Sequence, residues 1–147
     1  MNAINIGTVM PKSQQAMSAL SQEAEAAALA AGLDKRLVEL VKIRASQING
    51  CAYCLRLHTQ ETMQHGETID RLSVLAGWWE SQYFSQVEQQ ALSIAERVTL
   101  IAQPHLAHDA DIDDAMTTEQ VAAVTWVAVV INAWNRIAIS SHYPVAP

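Results

Sequence analysis

Residues 39–58, E-L-V-K-I-R-A-S-Q-I-N-G-C-A-Y-C-L-R-L-H, hold both cysteines of the chain and decide how its middle part folds. Apolar side chains recur there at helical spacing up to Gly50, and glycine commonly stands just past a helix end. A second helix is predicted to begin near Cys51 and to extend to His65, before Gly66. The stretch therefore predicts two consecutive helices, with the cysteine pair in the first turn of the second helix.

The rest of the sequence predicts further helices and contains no alternating pattern typical of strands. Asp34 is suited to cap a helix, and Ser85 with Glu88 three positions later forms a capping box. We therefore predict an all-α fold with a single domain, residues 1–147. Its helices, about six in number, are predicted at 14–31, 34–48, 51–65, 68–80, 85–102 and 118–140.

Length and charge limit the classes of function. A chain of 147 residues suits one domain with a sizeable core. The net charge is −6 and the nine lysines and arginines form no basic run, so we expect no nucleic acid and no membrane as partners. The N-terminal sequence lacks the pattern of a signal peptide, which predicts a cytoplasmic location. In a reducing compartment, a close cysteine pair is more often catalytic, redox-active or metal-binding than structural.

Two stretches partly resemble known sequence motifs, a membrane span and a calcium-binding loop, but neither matches its motif in full. Residues 121–134 are strongly apolar, but Asn132 interrupts them well before the roughly 20 apolar residues that a membrane span requires. We predict a helix that is buried in the core or in a subunit interface. Residues 109–114, D-A-D-I-D-D, resemble a calcium loop, but Asp114 stands where the loop needs glycine and Gln120 where it needs glutamate. We predict a solvated, helix-capping turn there.

Cys51, Cys54 and His58 fall in one narrow stripe of the second predicted helix. Each residue advances about 100° around a helix, so Cys54 and His58 lie about 60° and 20° from Cys51. The free N–H groups and the dipole at a helix N-terminus favour a thiolate. An imidazole is the usual base near neutral pH, and His58 is the candidate that this spacing provides. The three residues therefore indicate thiol chemistry.

The same residues also fit two simpler interpretations. Cysteines on a helix can be small buried apolar residues. The pair also offers metal ligands together with His58 and His65, but these histidines lie about 10 Å apart along a helix, too far to share one tetrahedral ion. No metal and no cofactor is therefore predicted. His105, His108 and His142 fall in predicted loop or tail regions and have no evident partner, and the four tryptophans are predicted to lie in the core or in an interface.

Residues 39–58 resemble the core motif of the carboxymuconolactone decarboxylase and alkylhydroperoxidase D (AhpD) family. The shared pattern is Glu39, a helix of apolar and small residues, the C-x-x-C about a dozen positions later, and a histidine four residues after its second cysteine. The resemblance is strong over residues 37–66, and N-A-W-N-R-I at 132–137 is similar to a late segment of the family. One departure is Tyr53, which stands where AhpD itself carries a histidine inside the C-x-x-C.

The resemblance implies an all-α protein that assembles into trimers or hexamers and, with both cysteines present, reduces hydroperoxides through a dithiol–disulfide cycle. In the family's terms Cys54 is the peroxidatic thiol, Cys51 is the resolving thiol, and His58 and Glu39 form a proton relay. The residues alone favour different roles. They indicate Cys51 as the nucleophile, because it lies nearest the helix N-terminus, and Glu39 as a solvated residue of a helix face.

We therefore predict an enzyme, a thiol-dependent hydroperoxide reductase. Its expected partners are a small hydroperoxide substrate, a dithiol reductant of the lipoyl or thioredoxin type, and further copies of the same chain. Two alternatives remain open. One is a non-redox enzyme of the decarboxylase type, although that branch of the family lacks the cysteine pair. The other is a redox-sensing or structural oligomer that has no turnover.

Overall fold

The computed structural model describes residues 3–110 and 114–147. These residues form seven α-helices and two short 3₁₀ helices, with no strand among them, which confirms the predicted all-α, single-domain fold. The α-helices are α1 (Ile6–Val9), α2 (Pro11–Ala30), α3 (Lys35–Asn49), α4 (Ala52–Gln64), α5 (Ile69–Ser73), α6 (Gln86–Thr99) and α7 (Thr118–Ser140). The 3₁₀ helices span Leu75–Glu80 and Pro104–Leu106.

The helices begin at residues whose chemistry suits a helix start. Asp34 accepts a hydrogen bond of 2.6 Å from the backbone N–H of Arg36, and Ser85 forms the predicted capping box with Glu88. Helix α2 begins three residues before its predicted start because Pro11, which lacks an N–H, occupies the first turn. The predicted turn at 109–114 falls partly on residues 111–113, which lie outside the described residues.

The single helix predicted over residues 68–80 is wrong. Helix α5 ends at Ser73, whose hydroxyl donates to the carbonyl of Asp70 at 2.6 Å, and the 3₁₀ helix that follows contains the non-helical Gly77. Small hydroxyl side chains and glycine both weaken a continuous α-helix. The break turns Trp78 inward, where its indole N–H donates to Glu96 at 2.9 Å. A buried polar contact therefore outweighs the helical pattern of this segment.

Helix α3 lies at the centre of the bundle and packs against α4, α6 and α7, while α7 also packs against α2 and α6. Helix α7 is long and apolar enough to cross a membrane by composition, but its packing is that of a core helix in a helical bundle. The main apolar core lies between α2, α3, α6 and α7 and includes Ala28, Leu37, Val38, Val41, Ala91, Ile94, Ala95, Val124, Val127 and Ala128.

Side-chain amides join α3 to α7 near the cysteine pair. The amide of Asn49 donates to the side-chain oxygens of Asn132 and Asn135, both at 2.9 Å. Asn135 in turn donates to the hydroxyl of Ser46 at 3.0 Å. Buried polar groups are stable only when they are paired, so these contacts fix the relative register of the two helices. The N-A-W-N-R-I segment therefore serves to position the end of α3.

Glu96 is a second buried carboxylate and ties three separate segments together. It accepts hydrogen bonds from Arg44 at 2.8 Å, from Trp78, and from the backbone N–H of His108 at 2.7 Å. The ring of His108 stacks on Trp79 and its Nδ1 lies 2.9 Å from Glu96, so the prediction that this histidine has no partner is wrong. Burial raises the pKa of Glu96, but these hydrogen bonds outweigh it and lower the pKa below its ordinary value.

Candidate active site

Gly50 places the cysteine pair at the start of α4. It adopts the left-handed backbone conformation, with φ of 69°, which ends α3 and reverses the chain within one residue. Cys51 is then the N-cap of α4, and its sulfur accepts a hydrogen bond of 3.3 Å from the backbone N–H of Cys54. The sulfur at this position therefore meets a free N–H of the helix terminus, as its place in the sequence predicts.

Cys51 and Cys54 are joined in a disulfide, with their Cα atoms 5.4 Å apart. Both side chains are almost fully buried, at 1% and 3% exposure. They differ in what they face, because Cys54 lines a cavity of about 640 Å³ whereas Cys51 does not. Cys54 is therefore the sulfur that a small molecule in the cavity would meet first.

His58 lies one helical turn after Cys54 and also lines the cavity. Its Nδ1 is 2.8 Å from Oε2 of Glu39, a residue of α3 that has no exposed surface. The expectation from the residues alone, a solvated Glu39 on a helix face, is therefore wrong. The packing of α4 on α3 brings together two residues 19 positions apart in the sequence. The predicted contact between Glu39 and His58 is thus present.

Two lysines on α3 compensate the charge of Glu39. Its Oε1 lies 2.9 Å from Nζ of Lys42 and 3.2 Å from Nζ of Lys35. Burial raises the pKa of Glu39, but the hydrogen bond from His58 and the positive charge of Lys42 outweigh it and lower the pKa to about 2. Glu39 is therefore ionised throughout the physiological range and can only accept hydrogen bonds. It follows that Nδ1 of His58 is the hydrogen-bond donor to Glu39.

Glu61 is a further acidic residue at the same imidazole. Its Oε2 lies 3.1 Å from Nδ1 of His58, one turn along α4. Together with Glu39 these residues place their polar atoms within 4.8 Å of one another, a spacing that could hold a metal ion. The observed distances are those of hydrogen bonds, and the two lysines beside Glu39 already neutralise much of the charge that would attract a cation. A hydrogen-bonded triad accounts for the arrangement.

The cavity has a polar wall and an apolar wall. Glu25 is paired to both lysines of the polar wall, which consists of Gln14, Ser21, Glu25, Lys35, Lys42, His58 and Glu61. The apolar wall is formed by α4, by α7 and by the segment that follows α7; it comprises Tyr53, Leu57, Val130, Ile131, Trp134, Ala138 and Tyr143. Tyr53 and Tyr143 pack edge to face, with ring centroids 5.0 Å apart. The cavity can therefore hold a molecule much larger than water.

All four residues predicted for the site, Glu39, Cys51, Cys54 and His58, lie together in the structure. His65, considered as a metal ligand, is exposed at the end of α4 and does not join them. The charged neighbours Glu25, Lys35, Lys42 and Glu61 were not predicted. The spacing of Lys35, Lys42 and Glu61, three or four residues from Glu39 or His58, is a signal in the sequence that could have indicated them.

A family profile and a bacterial relative match large parts of this chain. The sequence profile of the carboxymuconolactone decarboxylase family matches residues 11–97, more than half of the chain. YdfG, an uncharacterised protein of Bacillus subtilis strain 168, is 36% identical over 104 residues, which cover 69% of this chain and 71% of YdfG.

A solved structure resembles the whole chain. It is a crystal structure from Agrobacterium tumefaciens, described as a protein of unknown function and a candidate antioxidant defence protein of the AhpD type. It aligns with a TM-score of 0.81 and 30% identity over 99% of this chain and 100% of that one. The profile match includes all four residues of the predicted site and more than half of the sequence. The chain belongs to the carboxymuconolactone decarboxylase family.

Proposed function

We propose that this protein is a thiol-dependent hydroperoxide reductase of the AhpD type. One observation carries the proposal: of the two cysteines in the C-x-x-C pair, Cys54 and not Cys51 lines a cavity, and His58, one helical turn after Cys54, lines the same cavity. A cysteine pair that was only structural would need neither the cavity nor the adjacent base. The family membership and the similarity to a candidate antioxidant protein support the same class of activity.

The reaction begins with the reduced pair. The thiol of Cys54 gives its proton to Nε2 of His58, and the thiolate attacks one oxygen of the hydroperoxide. A sulfur–oxygen bond forms, the oxygen–oxygen bond breaks, and the departing alkoxide takes the proton from His58 to leave as an alcohol. Cys54 is then a sulfenic acid, oxidised by two electrons at the expense of the peroxide.

The second step converts the sulfenic acid of Cys54 into a disulfide, which a reductant then returns to two thiols. The sulfur of Cys51 attacks the sulfur of the sulfenic acid, a disulfide forms, and hydroxide leaves with the thiol proton as water. A dithiol reductant of the lipoyl or thioredoxin type then reduces the disulfide and becomes a disulfide itself. Because both cysteines are almost fully buried, the reductant must reach them through the cavity, which favours a slender dithiol arm. Regeneration by such dithiols suits a protein of the reducing cytoplasm.

Glu39 has an orienting role in this scheme. Its carboxylate stays ionised at any physiological pH, so it holds the hydrogen on Nδ1 of His58 and stabilises the imidazolium that forms when Cys54 is deprotonated. The proton itself moves between Cys54, Nε2 of His58 and the leaving oxygen. Glu39 is therefore a positioning residue rather than a proton carrier.

Peroxide consumption by the reduced protein with several dithiols tests the proposal. Cys54→Ser is expected to abolish turnover, and Cys51→Ser to consume one equivalent of peroxide and stall as a sulfenic acid that a dimedone probe traps. His58→Ala is expected to slow the reaction by roughly 10²–10⁴-fold, the usual loss of a general base. If the wild type stops after one equivalent with every dithiol, the protein is a redox sensor. If Cys51→Ser and Cys54→Ser exchange their expected behaviour, the nucleophile is Cys51.

A further inference from the structure

The imidazole of His58 faces two carboxylates with one nitrogen. Nδ1 lies 2.8 Å from Glu39 and 3.1 Å from Glu61, and it has a single hydrogen to share between them. One hydrogen bond to Glu39 is enough to fix the tautomer and the orientation of the ring. The second carboxylate is therefore not needed for geometry, and its contribution must come from its charge or from a redundant contact.

The charges around the imidazole show how the two carboxylates differ. Glu39 is paired with Lys42 and Lys35, so its negative charge is compensated locally. The one ion-pair contact of Glu61 among the described residues is with His58. The other titratable side chains that line this cavity are the carboxylate of Glu25 on α2, Cys54 and the phenol of Tyr53 on α4, and the phenol of Tyr143 after α7. Helix α7 itself contributes no titratable side chain to the lining. Three carboxylates thus stand against two ammonium groups, an excess of one negative charge.

We propose that Glu61 is a positioning residue whose uncompensated negative charge stabilises the imidazolium of His58 and so favours the thiolate–imidazolium pair of the reduced enzyme. The inference rests on the proposed role of His58 as the base for Cys54. The sulfur of Cys54 is expected to lie farther from Glu61 than Nδ1 of His58 does. Cys54 lies one helical turn before His58, whereas Glu61 lies one turn after it. Glu61 therefore stabilises the positive partner more than it repels the thiolate.

A salt effect is expected as well. The Glu61 side chain is 42% exposed, whereas Glu39 is fully buried. Salt screens a charge that is open to solvent far more than one that is buried. The contribution of Glu61 to thiol ionisation should therefore weaken as ionic strength rises, while the contribution of Glu39 should persist.

The test is the rate of thiol alkylation by iodoacetamide in the reduced protein, measured against pH. This rate reports the thiolate and requires no peroxide turnover, so it can succeed even if the proposed activity fails. Glu61→Gln keeps an oxygen that accepts a hydrogen bond but removes the charge, and Glu61→Ala removes both. Both variants are expected to react about two- to fivefold more slowly at pH 7, the size typical of a partly exposed ion pair.

Controls separate a charge effect from general damage. Glu23→Gln removes an exposed carboxylate of α2 that does not line the cavity, and it should leave the profile unchanged. In a His58→Ala background, Glu61→Gln should no longer slow alkylation, and at 1 M salt the wild type should approach Glu61→Gln. Wild-type behaviour of Glu61→Gln with slow alkylation in Glu61→Ala would overturn the proposal in favour of a hydrogen bond. Persistence of the effect without His58 would overturn it as well.

Discussion

The Glu39 carboxylate sits in the least solvated position of the site and yet is strongly ionised. His58, Lys42 and Lys35 place three nitrogen atoms within 3.2 Å of its oxygens. Together these contacts outweigh the desolvation of a fully buried carboxylate. Glu39 therefore positions His58 in the site and also forms ion pairs that stabilise the fold.

Acid should destabilise the protein through Glu39. Its pKa is about 2 in the native state against an ordinary value of 4.5, so its stabilisation is fully present above pH 4.5 and is lost as pH falls towards 2. The loss amounts to on the order of 3 kcal/mol. Glu39→Gln is expected to be less stable than wild type at pH 7 but to lose less stability between pH 4.5 and pH 3. Urea unfolding at several pH values measures both slopes, and parallel slopes would contradict the expectation.

The sequence could predict the identities of the site residues but not their surroundings. The spacing of Cys51, Cys54 and His58 on one helix follows from local geometry alone. The burial of Glu39 does not, because its contact with His58 depends on how α4 packs against α3. The charge balance of the cavity depends in addition on Glu25, which is contributed by α2. Properties set by contacts between helices cannot be obtained from the periodicity of any one helix.

At the level of elements, the junction between α3 and α4 is formed by Gly50 and Cys51. Its position was predictable, since Gly50 and the N-cap position of Cys51 are local signals. The break between α5 and the 3₁₀ helix Leu75–Glu80 was not, because it is fixed by the contact of Trp78 with Glu96. Local signals therefore located the helix ends that carry caps and missed the one that depends on a tertiary contact.

Gly50→Ala should destabilise the protein by about 1–2 kcal/mol, the cost of a left-handed backbone for a residue with a Cβ. The added methyl group itself would meet no atom within 4 Å, so the cost is conformational. Gly77→Ala is the matched control, since it too has open space but a φ of −117°, and it should be neutral or slightly stabilising. Chemical denaturation of both variants measures the difference. Equal effects would show that the sign of φ does not matter here.

At the level of the whole molecule, helix α7 leaves part of its apolar surface uncovered. Trp126 is 53% exposed and Val129, one turn later, is also exposed, although the opposite face of α7 is buried in the bundle. Apolar patches of this kind commonly mark an interface. We propose that this face packs against another subunit in the trimer or hexamer that the family resemblance implies.

Trp126→Glu tests this assembly. The variant places a charge in the expected interface, so sedimentation velocity should show a shift from oligomer to monomer while the helical circular dichroism stays unchanged. Ile101→Glu is the control, because Ile101 is highly exposed but lies after α6 and outside the α7 face. A wild type that sediments as a monomer at micromolar concentration would contradict the proposed assembly.

The apolar cluster around the cysteine pair also has an optical consequence. Trp134 packs against the cluster that contains Cys51 and Cys54, whereas Trp78 belongs to a different cluster. A disulfide close to an excited indole accepts an electron from it and quenches its emission, which two separate thiols do far less. Reduction should therefore brighten the intrinsic fluorescence, and Trp134→Phe should remove most of that change. A stopped-flow fluorimeter could then follow oxidation by a peroxide and reduction by a dithiol in the unlabelled protein, one half-reaction at a time.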